Sequence, residues 1–174
     1  MNSDESHENK TFLTVIICIA AGIALGIVLK LFVVDILHVK GTSMQPSLKD
    51  GQTVIVNKLS YGIVKPFSDT LITEWSEPKV NDIVIYLYNN KIVVKRCLAV
   101  QDTPLEYSVD SGYTLIVGTT KIPLTDLQYH RMQSSMVVPK GMILAIGDNF
   151  AQSIDSRTYG FVPVRNIIGK VVCK

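Results

Sequence analysis

The stretch DIVIYLYNNKIVVKRCLAV, residues 82–100, decides the fold. Two apolar runs rich in Val, Ile and Tyr flank Asn89-Asn90, and Asn tolerates positive φ. The pattern therefore predicts two antiparallel strands joined by a tight hairpin turn. Working outward, runs of the same kind recur at TVIVN (53–57), YTLIV (113–117), MILAIG (142–147) and IIGKVV (167–172), with turn residues between them. Only Pro123–Gln133 is patterned for a helical turn or two. The stretch Tyr61–Val80, with Pro66, Pro78 and several acids, reads as a long surface loop. An antiparallel β domain, a sheet or barrel, is expected over residues 38–174.

Upstream the pattern changes. Thr11–Leu29 reads TFLTVIICIAAGIALGIVL, without a charged side chain. Nineteen such residues at about 1.5 Å each cover roughly 28 Å, close to the thickness of a hydrocarbon core, with Lys30 snorkelling to the interface. A cleavable leader would carry a basic start and a shorter apolar run. Here MNSDESHENK holds three acids against Lys10, so an uncleaved anchor is expected. The division is then a tail over 1–10, an anchor and membrane-exit segment over 11–37, and the β domain beyond. Lys10 and the amino terminus stand on one side, Lys30 and Lys40 on the other, so charge counting gives no orientation.

Composition narrows the function. The chain has 174 residues, 47% hydrophobic and 18% charged, which excludes disorder. Three Cys are too few for a disulfide-built scaffold. A net charge of +2 is too small for a nucleic-acid binder. Without the two lysines and four acids of residues 1–37, the β domain carries 15 basic and 11 acidic side chains, a net +4 that suits a place beside anionic lipid.

Lys95 is the side chain that ordinary folding does not explain. It lies within an apolar strand, and by two-residue alternation it shares a face with Val93 and Cys97 while Arg96 points the other way. At a pKa near 10.4, about one lysine in 2,500 is neutral at pH 7. Burial that lowers the pKa by about three units costs roughly 4 kcal/mol and yields a usable base. A serine hydroxyl needs such a base to become a nucleophile. Ser43 lies in the turn GTSMQPSLKDG (41–51). No histidine offers an alternative, because His7, His38 and His130 lack an orienting carboxylate. A third segment, GDNFAQSIDSRTYG (147–160), gathers hydroxyls and carboxylates suited to fixing an amine. In it Ser153 is placed to bond Lys95, and Asp155 to pair with Arg157 or with Arg96.

Taken together, three motifs resemble those of bacterial type I signal peptidases, the membrane-bound Ser-Lys proteases. They are SMxPxL (Ser43–Leu48), the pair Lys95-Arg96, and GDNxxxSxDSRxxG (Gly147–Gly160). GxTVxVxK at 51–58, EPKxxDIVIY at 77–86 and GxVPxxxIxGK at 160–170 add to the match, which covers nearly the whole chain. The short length and single anchor look like the Gram-positive type. The resemblance implies a plasma-membrane, single-pass protein whose catalytic domain lies on the extracytoplasmic face and cuts signal peptides from exported preproteins after small residues. It implies Ser43 as nucleophile and Lys95 as general base, with Ser153 orienting the amine and Asp155 with Arg157 as supporting ion pair, beside Arg96. Met44, Leu48 and Val94 would line the pocket for the small residue, and the substrate would bind as an added β-strand. No metal or cofactor is implied.

The chain departs from that pattern in places. Gly41 stands where some relatives carry a serine that helps form the oxyanion hole, which leaves that task mainly to backbone N–H groups such as that of Ser43. Ala99-Val100-Gln101-Asp102 replaces a Gly-x-Pro-Gly-Asp turn, Asn81 replaces a Gly, and Phe150 an Arg. A different class of function shares the same motifs: a signal-peptidase-like assembly factor, as for pili, that binds a surface-protein or pilin precursor without cutting it. A soluble self-cleaving regulator is disfavoured by the anchor.

Overall fold

In the computed structural model, which describes residues 3–65, 71–110 and 112–173, one long helix leads into a mainly antiparallel β body. Helix α1 (Ser3–Val28) ends in a π-turn over Leu29–Val33. Lys10–Val33 is apolar and unburied, long enough to cross a membrane. The chain then passes without a linker into strand β1 (Val34–His38), whose Val34–His38 pair residue by residue with Asn57–Thr53 of β2 (Thr53–Asn57). The β body therefore begins at Val34, not at residue 38. The sequence alone assigns residues up to 37 to the anchor and membrane-exit segment; pairing to β2 supplies backbone partners that make Val34–His38 a strand.

The stretch Tyr61–Val80 is likewise not all loop. It holds a hairpin of β3 (Gly62–Val64) and β4 (Leu71–Glu74), while residues 66–70 lie outside the described chain. Gly62 permits this pairing, because a Cβ there would stand 2.0 Å from the Thr73 carbonyl oxygen. The expected hairpin joins β5 (Ile83–Tyr88) to β6 (Lys91–Ala99), with Asn89 and Asn90 at φ 50° and 58°. Beyond it lie β7 (Glu106–Ser108), β8 (Thr114–Val117), β9 (Thr120–Pro123) and α2 (Asp126–Met132), then β10 (Met142–Ile146). α3 (Ser156–Tyr159), β11 (Val162–Pro163) and β12 (Ile167–Cys173) complete the chain. All six expected runs are strands.

Seven strands form the main sheet in the order β1-β2-β12-β5-β6-β10-β11, and β7-β8-β9 form a smaller one. β5 explains why its sequence is continuously apolar: Ile83 and Ile85 face one core with Met44, Leu48 and Val54, while Val84 and Tyr86 face another with Cys97 and Ile143. Burying one such aliphatic side chain contributes about 1.5–3 kcal/mol. Both faces of the sheet are thus anchored where β5 and β6 run side by side.

Candidate active site

The turn after β1 carries Ser43. Met44 and Leu48 are fully buried and hold the turn against the core of Val39, Val54 and Ile85. Gly41, at φ 88°, donates its N–H to Asp50 Oδ1 at 2.7 Å. From the other side the 147–153 turn clamps the segment, with Asn149 N–H donating to the Ser43 carbonyl (3.0 Å) and Asn149 Nδ2 to that of Thr42 (3.3 Å).

Lys95 rises from β6 into this turn. Val84 stands opposite it on β5, and the side chain is only 5% exposed. Its Nζ lies 2.8 Å from Ser43 Oγ and 3.1 Å from the Val94 carbonyl. Burial pushes the amine below its ordinary pKa; the Arg157 charge pushes the same way, while Asp155 and Asp148 pull against both. Sequence reasoning placed these two side chains as candidates, and the fold brings them into contact across 52 residues of chain.

Of the two partners left open for Asp155 in the 147–160 segment, the fold selects Arg157, the one the resemblance implies. Asp155 pairs with Arg157, not Arg96: Arg157 Nε donates to Oδ1 and Nη2 to Oδ2, both at 2.9 Å, with the two residues 0% and 2% exposed. Asp155 also caps α3 through the Arg157 N–H and accepts the Gly147 N–H at 3.0 Å. Arg157 ties down the carbonyls of Pro123, Phe150 and Ser153. Arg96 instead grips Asp148 with two nitrogens at 2.8 and 2.7 Å, and reaches Ser47 Oγ and the Asn81 carbonyl. Asp148 is a residue that sequence reasoning missed, although its place directly after Gly147 marked it as polar beside a strand end.

Two further expectations need correction. Ser153 is buried beside the site, yet its hydroxyl makes no hydrogen bond with the described residues, so the expected bond to Lys95 is not formed. Leu48 lies in the core below the turn and does not line the groove, whereas Met44 and Val94 do. Cys97 and Cys173 are both free, and burial pushes the Cys97 thiol up to about 12, which leaves it an inert packing group.

Gly147 marks how closely these parts are stacked. A Cβ there would stand 2.2 Å from Ser153 Oγ and 2.6 Å from the Ser43 carbonyl oxygen. Gly147→Ala is expected to lower kcat/KM at least about tenfold, and removing the Ser153 hydroxyl in a double variant restores little, because the backbone clash with Ser43 persists. Peptide cleavage assays on the two variants check this; full activity of Gly147→Ala would show that the turn gives way freely.

Beside Ser43 and Lys95 lies a groove of about 970 Å³, lined by Leu37–Met44 and by residues of Tyr88–Lys95, with Gln152 and Ile154 as well. Its walls offer unpaired strand edges. β1 is the outermost strand of the sheet, and β10 pairs with β6 only from Arg96 to Ala99, which leaves Lys91–Lys95 partnered by β5 alone. The Thr42 hydroxyl donates to Gln152 Oε1, another contact sequence reasoning missed.

Comparison with known proteins places this arrangement in context. A family model described as signal peptidase, peptidase S26, matches residues 10–174. A signal peptidase IB of Staphylococcus aureus is 31% identical, covering 93% of this chain and 88% of its own. A signal peptidase I of Buchnera aphidicola is 24% identical, covering 83% of this chain and 70% of its own. Among solved structures, a signal peptidase I from Enterococcus faecalis aligns with a TM-score of 0.41 at 24% identity, over 56% of this chain and 98% of that one.

Proposed function

Because the chain belongs to the signal peptidase family, peptidase S26, we propose that it is a membrane-anchored serine endopeptidase that removes signal peptides from exported preproteins after small residues. Ser43 is the nucleophile and Lys95 the general base. The observation that carries this reading is the 2.8 Å contact between a nearly water-free amine and the hydroxyl of Ser43.

The precursor lies extended in the groove, adding a strand between the open edges of β1 and β6. Met44 and Val94 limit the side chain before the cut bond to a small one. The neutral Lys95 amine takes the Ser43 hydroxyl proton as Oγ attacks the carbonyl carbon. The oxyanion is met by backbone N–H groups, that of Ser43 among them, since Gly41 has no side chain to offer. As the C–N bond breaks, the ammonium returns its proton to the leaving amine. The same base then deprotonates the water that hydrolyses the acyl-Ser43 ester. Arg96–Asp148 and Asp155–Arg157 hold the two walls that carry serine and lysine. The anchor over Lys10–Val33 keeps the groove beside the membrane from which the precursor emerges, on its extracytoplasmic face.

The pH dependence follows from the sign of the Lys95 shift. Only the unprotonated amine accepts the hydroxyl proton, so kcat/KM rises about tenfold per pH unit up to the pKa and then levels. Because burial lowers that pKa, the rise ends below the pH near 10.4 where an exposed lysine titrates. Rates on a precursor, measured with the full chain in detergent from about pH 5 to about pH 9, check it. A flat profile over that window refutes Lys95 as the base.

A further inference from the structure

We propose that the groove selects precursors by charge: Lys91, aided by Lys40, favours an acidic side chain about four residues from the bond cut and disfavours a basic one there. The inference rests on the peptidase reading of the same groove and adds to it a specificity-determining residue.

Three observations carry it. First, among the groove's lining residues there is no acidic side chain, whereas Lys40 and Lys91 line it together with the buried Lys95. Second, both lysines are exposed and neither joins an ion pair with a described residue. Asp50, which borders the Lys40 end, has a carboxylate oxygen on the Gly41 N–H. Third, the β6 edge that would receive the added strand is open over Lys91–Lys95, where only β5 pairs with it.

That edge works as a ruler. Lys91 and Lys95 lie on one face of one strand, four residues and so about 13 Å apart. An extended segment paired with this edge advances by the same rise per residue. With its cut bond at Lys95, it places the side chain about four residues away beside Lys91. A carboxylate there meets an unneutralised ammonium, and an ammonium there meets a like charge.

The test uses peptides identical except for Asp, Ala or Lys at the fourth residue on either side of the bond cut, with the full chain in detergent. On one of the two sides, kcat/KM is expected to fall in the order Asp, Ala, Lys, with a spread of about fivefold between the ends at low ionic strength. The spread shrinks when salt is raised to about 0.5 M. Lys91→Glu reverses the order and Lys91→Ala flattens it. An order unchanged in Lys91→Glu, or no dependence on charge at either position, overturns the proposal. Binding of the same labelled peptides to Ser43→Ala separates this claim from the peptidase reading. If wild type cuts none of them yet Ser43→Ala ranks them in that order, charge selection stands and catalysis fails.

Discussion

Ser43→Ala and Lys95→Met each lower cleavage of a precursor at least about 1,000-fold, and the double variant is scarcely worse than either single one. In the proposed mechanism the two side chains act as one device: without the base the hydroxyl stays protonated, and without the hydroxyl the base has nothing to activate. The measurement is precursor turnover by the purified full chain in detergent, with circular dichroism to verify the fold. Near-wild-type turnover by either single variant would sink the dyad. If the chain binds precursors and Ser43→Ala leaves its biological role intact, the assembly-factor reading replaces the protease.

The same lysine carries a second, opposite signature. Lys95 is buried and its folded-state pKa is lowered, so below about 10.4 the unfolded chain binds a proton that the folded chain holds weakly. Burial therefore costs stability, fully below the folded pKa and decreasingly as pH rises from there to the unfolded value. Met fills similar space with no charge to desolvate. Lys95→Met is expected to be more stable than wild type by on the order of 1 kcal/mol at neutral pH. The advantage narrows as pH approaches about 10. Thermal unfolding at several pH values reads it directly.

Asp155→Ala is expected to cost about 3–5 kcal/mol, a large part of the roughly 5–15 kcal/mol that holds a typical domain folded. The loss strands the Arg157 guanidinium, 2% exposed, without its counter-ion. It also releases the Gly147 N–H and the cap of α3. Because Gly147 stacks against the Ser43 carbonyl, activity falls with stability. Asp155→Ala combined with Arg157→Met recovers part of the stability, since an unpaired buried charge costs more than a missing pair. It does not recover activity, because the carbonyls of Phe150 and Ser153 lose the donor that shapes the turn. Denaturant unfolding of the two variants and wild type, run beside turnover, separates the two effects; wild-type stability of Asp155→Ala would remove the pair from this role.

What the sequence determined by itself were features with a local physical signature. Two-residue alternation and Asn89-Asn90 defined the β5–β6 hairpin, an uncharged run defined the long apolar helix, and a lysine inside an apolar strand marked the candidate base before any partner was visible. Tertiary structure alone decided which groups meet. Nothing local distinguishes Asp148 from Asp155 as partner of Arg96; the choice follows from the register by which Ile146 pairs with Arg96, which sets the next carboxylate beside the guanidinium. Leu48 and Met44 are both apolar, yet only one reaches the groove, because the turn's orientation on the core selects it. Val34–His38 became a strand through β2, and Gly62 a strand residue through Glu74. In each case the deciding energy is a hydrogen bond or packing contact with a residue distant in the chain, and such an energy leaves no trace in the neighbouring letters.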